Sequence, residues 1–201
     1  MVPGLVLAAG RSSRMGRPKA LLRLTPSGPT FVARIVHALR AGGTADALVV
    51  GRPDDVELQA ELERVQPPAR FVPNPHAESG QLSSLLAGLN VVDHPGVHGV
   101  LITLVDLPLV KPTSVEALLS AFSRTGAPIV RAVHRGGHGH PVIFGREVFP
   151  DLRAADPQVG AKAVFRRHAE GVVDVEVDDP GVLVDVDVPA DLERLESSGP
   201  E

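Results

Sequence analysis

The feature that most constrains the fold is the alternation of short apolar runs with helical patterns through residues 5–123. Runs rich in valine and leucine are predicted strands, and segments in which apolar residues recur every three or four positions are predicted helices. The strands are predicted over 5–8, 47–50, 70–72 and 99–105, and the helices over 30–40, 54–65, 81–91 and 113–123. This alternation predicts an α/β fold, with a parallel sheet covered by helices on both faces.

The rest of the chain is less regular. We expect strands over 129–133 and 142–144 joined by a glycine-rich loop at 135–140, a helix around 160–168, strands over 172–177 and 182–186, a last helix over 189–195, and a flexible tail at 197–201. Thr113 or Ser114 is the predicted N-cap of the fourth helix. No linker, repeat or shift in composition divides the chain, so residues 1–201 are predicted to form a single domain.

Composition excludes several classes of function. The net charge of −4, with no extended basic patch, argues against a nucleic-acid partner. The absence of cysteine excludes disulfides, thiolate zinc sites and a cysteine nucleophile. Neither a signal peptide nor an apolar run long enough to span a membrane is evident, so we expect a soluble cytoplasmic protein without a membrane partner.

A cationic loop follows the first predicted strand. Residues 11–19 contain three arginines, one lysine and no acidic residue, with Gly10 and Gly16 nearby. Ligands of parallel α/β sheets bind beyond the carboxyl ends of the strands, and exposed amides combined with positive charge suit a polyphosphate. The spacing matches neither a Walker A loop nor a dinucleotide fingerprint. The loop is predicted to end in a helix that starts at Pro18 and Lys19; an ordinary turn with basic surface residues is the alternative.

Aspartates occur at two apolar segments, directly after one of them and within the other. Asp106 directly follows the fourth predicted strand, and Mg²⁺ favours one or two carboxylates together with phosphate oxygens and water. Asp185 and Asp187 alternate with valines, so on a strand they would face one side, where they would repel unless a cation or water lay between them. A capping role for Asp106 and a solvated strand end for the pair are the alternatives.

Two further segments carry polar groups in suitable places. Gly80 permits unusual backbone angles, and Ser83 and Ser84 offer hydroxyls near a predicted helix N-terminus. An ordinary loop that caps the helix explains the same pattern. His138 and His140 could bind zinc, but no third ligand is evident.

The motifs together resemble the MobA-like nucleotidyltransferases, which include the molybdenum cofactor cytidylyltransferases and guanylyltransferases. The matching positions, in family order, are Leu7-Ala8-Ala9-Gly10 with Ser12, Arg14-Met15-Gly16 and Lys19; Asn74-Pro75, Gly80-Gln81, Ser83-Ser84-Leu85 and Gly88; Asp106 with Pro108; Gly139-His140-Pro141-Val142; and 185–191. The resemblance covers nearly the whole chain. It implies a Rossmann-like three-layer sandwich with a mostly parallel central sheet, of the nucleotide-diphospho-sugar transferase type.

The resemblance also implies the site residues. Arg14, Lys19 and Asp106 would be catalytic, and Asp106 with Asp187 would hold Mg²⁺. The nucleotide would be bound by Leu7, Ala8, Ala9, Gly10, Arg11, Ser12, Ser13, Gly16, Asn74, Gly80, Ser83 and Ser84. The acceptor would meet His140, Lys162 and Asp185. The chain departs from the family pattern at Val188, where threonine is usual, and at Ala190, where glutamate is usual.

The expected reaction is attack of an acceptor phosphate on the α-phosphorus of an NTP, with release of pyrophosphate. CTP is favoured because the family's Leu-Ala-Ala-Gly tends to mark cytidylyl transfer, and Ala9 occupies the deciding position. Molybdopterin or its metal-loaded form is the expected acceptor, with a molybdoenzyme as a candidate partner. Leu107 departs from the cytidylyl pattern and leaves specificity open. The alternatives are guanylyl transfer, transfer to a sugar phosphate, and a nucleotide-binding accessory protein without turnover.

Overall fold

The computed structural model describes residues 1–11 and 15–198, and within them one seven-stranded sheet. The strands are β1 (Gly4–Leu7), β2 (Ala47–Gly51), β3 (Arg70–Pro73), β4 (Gly99–Leu104), β5 (Ile129–His134), β6 (Gly137–Gly145) and β7 (Val172–Glu176). Their order across the sheet is β3-β2-β1-β4-β6-β5-β7, and β6 runs antiparallel to its neighbours β4 and β5. The predicted mostly parallel sheet is confirmed.

Helices cover both faces of this sheet. They are α1 (Phe31–Ala41), α2 (Val56–Arg64), α3 (Gln81–Val92), α4 (Pro112–Thr125), α5 (Phe149–Arg153), α6 (Lys162–Arg167) and α7 (Pro189–Ser198). Successive strand residues point to opposite faces: Val6 packs in one core with Ile35 of α1, whereas Leu5 packs in the other with Leu89 of α3. The two apolar cores give the three-layer sandwich that the sequence predicts.

The strand register brings the segments that carry the predicted site to one edge. Leu7 lies level with both Val50 and Leu104, so β1, β2 and β4 end together. The amide of Asn74 donates to the carbonyl of Gly51 at 2.8 Å, which continues the ladder past β3. Because β6 is antiparallel, its first half also lies at this edge.

The C-terminal segment contradicts one predicted strand. Residues 180–182 form a 3₁₀ turn, and 184–187 have no regular structure, so the expected strand over 182–186 is wrong. The side chain of Asp179 accepts a hydrogen bond from the amide of Gly181 and stabilises the turn instead. The argument that Asp185 and Asp187 share one face of a strand therefore fails. The last helix extends through Ser198, beyond the predicted end at residue 195.

Three local predictions also need correction. The glycine-rich segment is mostly strand, because the β5–β6 turn contains only Arg135 and Gly136, whose φ angles of 50° and 79° suit a tight hairpin. Helix α4 begins at Pro112 without a side-chain N-cap, since the hydroxyl of Ser114 donates to Asp179. The helix expected after Pro18 is a single 3₁₀ turn, Lys19–Leu21.

Candidate active site

The centre of the candidate site is one lysine held between two carboxylates. The Nζ atom of Lys19 lies 3.3 Å from Oδ2 of Asp106 and also donates to Oδ1 of Asp187. The lysine side chain is only 12% exposed, so the ion pairs are partly shielded from water. Three residues predicted from separate motifs are thus brought together, and we call them the Lys19 cluster.

Backbone hydrogen bonds fix Asp187 beside Asp106. The amide of Val186 donates to the carbonyl of Asp106 at 2.9 Å. The carboxylate of Asp191, in the first turn of α7, accepts from the amides of Asp187 and Val188, each at 2.9 Å. These two amides hold the pKa of Asp191 below its usual value. The position of Asp187 therefore depends on both the β4 end and the start of α7.

Asp185 adds negative charge to the Lys19 cluster. Burial raises the pKa of Asp185, the nearby carboxylates of Asp106 and Asp187 raise it further, and Lys19 opposes them. Carboxylates gathered around one ammonium repel each other, and a cation relieves that repulsion. The charge balance of the site therefore favours a bound metal ion.

The chemistry of these residues fits a magnesium ion that is shared with a substrate. Oδ1 of Asp106 is buried and accepts no hydrogen bond from any described group, and a buried carboxylate oxygen without a donor is stabilised by a cation. No three His, Asp or Glu side chains among the described residues are arranged to hold a metal by themselves. Asp106 and Asp187 would thus share the ion with phosphate oxygens and water, which is the coordination that Mg²⁺ prefers.

A buried aspartate that the sequence analysis missed supports this arrangement. Asp179 is 1% exposed, and its Oδ2 atom accepts from the amide of Lys111 at 2.8 Å and from the hydroxyl of Ser114 at 2.7 Å. A Cβ on Gly181 would lie 2.4 Å from the carbonyl oxygen of Leu109, so the two segments touch through their backbones. Through these hydrogen bonds, Asp179 holds the segment that leads to Asp187 against the start of α4. Its only signal in the sequence is an Asp-Pro-Gly turn.

The predicted phosphate loop offers backbone rather than side chains at its start. Leu7, Ala8 and Ala9 are buried, so a nucleotide could meet only their main-chain groups. Gly16 has a φ of 67°, a left-handed conformation that favours glycine. Ser12, Ser13 and Arg14 lie outside the described residues, and their predicted roles stay predictions.

The loop between β3 and α3 is organised by Asn74. Its amide nitrogen donates to the hydroxyls of Ser83 and Ser84 at 2.9 and 3.0 Å, and its oxygen accepts from the amide of His76. Gly80 precedes α3 with a φ of 90° and a ψ of −176°, a conformation that requires glycine. The structure thus gives Asn74 and the serines internal partners, and their contact with a nucleotide remains a prediction.

Two more charged residues that the predicted site omitted meet here: Glu78, which lies in this loop, and Arg52, which follows β2. Oε1 of Glu78 accepts from Nη2 of Arg11 and from Nη2 of Arg52, each at 2.5 Å. The two guanidinium groups lower the pKa of Glu78 to about 2. Both residues lie in segments that follow strands, Arg52 after β2 and Glu78 after β3, but strand-end reasoning does not show that they pair.

On the other side of Asp106 lies His140 of β6. Its Nδ1 atom is 3.4 Å from the carbonyl oxygen of Ile102. Burial lowers the pKa of His140, although the charge of Asp106 opposes this. His138 instead contacts Asp174, with 3.4 Å between Nε2 and Oδ2. Lys162 is exposed at the first residue of α6, and no described contact joins it to His140.

Comparison with known proteins identifies the family. The model of the MobA-like NTP transferase domain matches residues 4–172. The chain belongs to this family. The matched range of the MobA-like domain includes Lys19 and Asp106, whereas Asp187 lies beyond it. The chain is therefore a nucleotidyltransferase of the MobA-like type.

Individual proteins are similar to this chain along most of its length. A protein of Rhizobium meliloti (strain 1021) named molybdenum cofactor guanylyltransferase is 32% identical over 180 residues, which cover 86% of this chain and 78% of that protein. The structure of Rv0371c from Mycobacterium tuberculosis H37Rv has a TM-score of 0.79 and 29% identity, with 98% of this chain and 97% of the other covered. A complex of Rv0371c with manganese gives a TM-score of 0.76 and 26% identity, with 98% and 99% covered.

Within the part of the chain that the structure describes, no helix of this MobA-like domain combines the length and the apolar character needed to cross a membrane.

Proposed function

We propose that this nucleotidyltransferase uses Mg²⁺ to move a nucleoside monophosphate from an NTP to a phosphate of molybdopterin or its metal-loaded form, within a single domain in the cytoplasm. The Lys19 cluster carries the proposal, because it combines an ammonium, two carboxylates and a buried carboxylate oxygen at the edge where the loops after β1 and β4 meet. The guanylyltransferase name of the Rhizobium relative supports the acceptor class, and the manganese complex of Rv0371c supports a divalent metal.

In this reaction an acceptor phosphate oxygen bonds to the α-phosphorus, and the bond from that phosphorus to the pyrophosphate oxygen breaks. Lys19 neutralises Asp106 and Asp187 before the nucleotide binds and can then turn to a phosphate oxygen, where its charge stabilises the leaving pyrophosphate. Bound Mg²⁺ would reduce repulsion between the two anionic substrates. Asp106 and Asp187 would hold it. His140 and Lys162 are the proposed contacts to the acceptor.

The proposal also concerns which NTP the protein uses. Ala9 favours CTP, but its side chain is buried, so any selection must act through the backbone or through neighbouring groups. The guanylyltransferase name of the Rhizobium relative favours GTP. Guanylyl transfer is therefore the second candidate.

A pyrophosphate-release assay with each of the four NTPs, Mg²⁺ and molybdopterin tests the proposal. We expect release to require the acceptor and to be fastest with CTP; a faster rate with GTP would replace the cytidylyl candidate by the guanylyl one. Binding of nucleotide without release in any combination would contradict the proposal and favour an accessory role. Release only with sugar phosphates in place of molybdopterin would contradict the acceptor.

A further inference from the structure

Three charged side chains meet at the ends of β1, β2 and β3, and we call Arg11, Glu78 and Arg52 the arginine clasp. Arg11 belongs to the loop after β1, Arg52 follows β2, and Glu78 lies in the loop after β3. Both guanidinium groups reach the same oxygen of Glu78 at 2.5 Å, and Nε of Arg11 is a further 3.1 Å contact. One carboxylate therefore occupies the space in front of two guanidinium groups.

The arginine clasp does little for the stability of the fold. The side chains of Arg11 and Glu78 are 68% and 60% exposed, and that of Arg52 is 25% exposed. Ion pairs around an exposed carboxylate contribute little because water and salt screen them. Holding three long side chains from separate loops also costs conformational entropy. The arrangement calls for an explanation other than stability.

The geometry is that of an anion site already filled by the chain itself. The planar guanidinium fork of arginine matches a carboxylate and a phosphate equally well. Arg11 directly follows Gly10 in the predicted phosphate loop. The side chains of Arg11 and Glu78 are 68% and 60% exposed, so an anion in solution can approach the guanidinium group of Arg11.

We propose that Arg11 and Arg52 form a subsite for the terminal phosphates of the nucleotide and for the leaving pyrophosphate, and that Glu78 occupies it as an internal competitor in the nucleotide-free protein. The link to a nucleotide rests on the proposed function. Because pyrophosphate must displace Glu78 to bind, it binds more weakly and is released faster than it would be without this carboxylate. Because the pKa of Glu78 is lowered to about 2, the competition persists unchanged across neutral pH.

Calorimetric titration of the full chain with inorganic pyrophosphate and Mg²⁺ tests the subsite. In Glu78→Gln we expect the Kd for pyrophosphate to fall by about 5- to 10-fold. This is the gain in apparent affinity expected if Glu78 occupies the subsite about 80–90% of the time in the wild type. Asp46→Asn is the matched control, because it removes the same charge from a half-buried carboxylate paired with Arg70 at the opposite end of β2 and β3. Its Kd should equal that of the wild type.

A second variant shows whether the gain depends on the arginines. Arg52→Ala should raise the Kd for pyrophosphate, and in the double variant with Glu78→Gln the gain should shrink to less than about 2-fold, since interacting residues are not additive. An unchanged or higher Kd in Glu78→Gln would overturn the proposal, as would an equal fall in Asp46→Asn.

The titration tests the subsite, and the release assay tests the proposed function, so the two proposals can be rejected separately. Pyrophosphate binding needs no turnover, so a protein that releases none from any NTP loses the proposed function while the titration still tests the subsite. Normal turnover together with an unchanged Kd in Glu78→Gln would contradict the proposed subsite but not the proposed function.

Discussion

The Lys19 cluster and the arginine clasp lie at the same sheet edge and use the same kinds of charge, but they differ in burial. The side chains of Lys19, Asp106 and Asp187 are 12%, 24% and 44% exposed, against 68%, 60% and 25% for Arg11, Glu78 and Arg52. The lysine at the centre of the first group is therefore buried, whereas the carboxylate at the centre of the second is exposed. Charges shielded from water interact strongly and are costly to leave unpaired, whereas exposed charges exchange partners at little cost. The buried cluster is suited to fixing reacting groups, and the exposed clasp to releasing its partner when a ligand arrives.

The largest effect is expected at Asp106. Asp106→Asn keeps the size of the side chain but removes the charge that would hold Mg²⁺, so kcat/KM for pyrophosphate release should fall by about 10³-fold. Asp46→Asn, with the same change of charge on the surface, should keep the wild-type rate. A loss of less than 10-fold in Asp106→Asn would place the transfer site elsewhere.

A large effect on stability is expected at Asp179, which fastens the segment carrying Asp187. Asp179→Ala leaves the amides of Lys111 and Gly181 and the hydroxyl of Ser114 without their acceptor. The free energy of unfolding should fall by about 2–4 kcal/mol, as measured by denaturant titration. A change below about 0.5 kcal/mol would show that the segment is held without this carboxylate.

A smaller effect, on the Tm, is expected at Asp185 beside the Lys19 cluster, and it should depend on divalent metal. Because the pKa of Asp185 is raised in the folded chain, the folded state binds the proton more tightly, and stability falls as the pH rises from the unfolded pKa through the folded one. At pH 7 without divalent metal, Asp185→Asn should therefore raise the Tm by about 1–2 °C. Mg²⁺ should reduce this gain. A lower Tm in the variant would contradict the repulsion that we infer.

The smallest effect is expected at the clasp. Glu78→Gln should change the Tm by less than about 1 °C, because exposed ion pairs contribute little to folding. Differential scanning fluorimetry would measure it beside Asp179→Ala. A fall as large as that of Asp179→Ala would show that the clasp is structural and would remove the contrast between the two regions.

The sequence predicts the β1–β4 half well, because its strands and helices alternate and strand ends must converge. This logic identified Asp106 and the cationic loop after β1, and the resemblance singled out Lys19 within that loop. Asp187 was identified through the resemblance, although the strand assumed for it is wrong. A turn stabilised by Asp179 replaces that strand.

The remaining features depend on contacts between distant residues. Asp179 is 65 positions from Ser114, and Glu78 is 67 from Arg11. A carboxylate on a loop gives no local sign of such a partner, because the pairing is set by how the loops fold over the sheet edge. The glycine-rich segment could not be assigned to β6 from its composition, because its strand is set by pairing with β5 across the hairpin, where Val133 lies opposite His138 and His134 opposite Gly137.

The central claim is that the ammonium of Lys19 serves the transfer reaction. The most direct test is pyrophosphate release by Lys19→Ala, with NTP, Mg²⁺ and molybdopterin, beside Lys111→Ala, which removes an equal charge from an exposed side chain. We predict a loss of at least about 10²-fold in kcat for Lys19→Ala, with the fold retained by circular dichroism, and wild-type release for Lys111→Ala. Near-wild-type turnover in Lys19→Ala would contradict the claim.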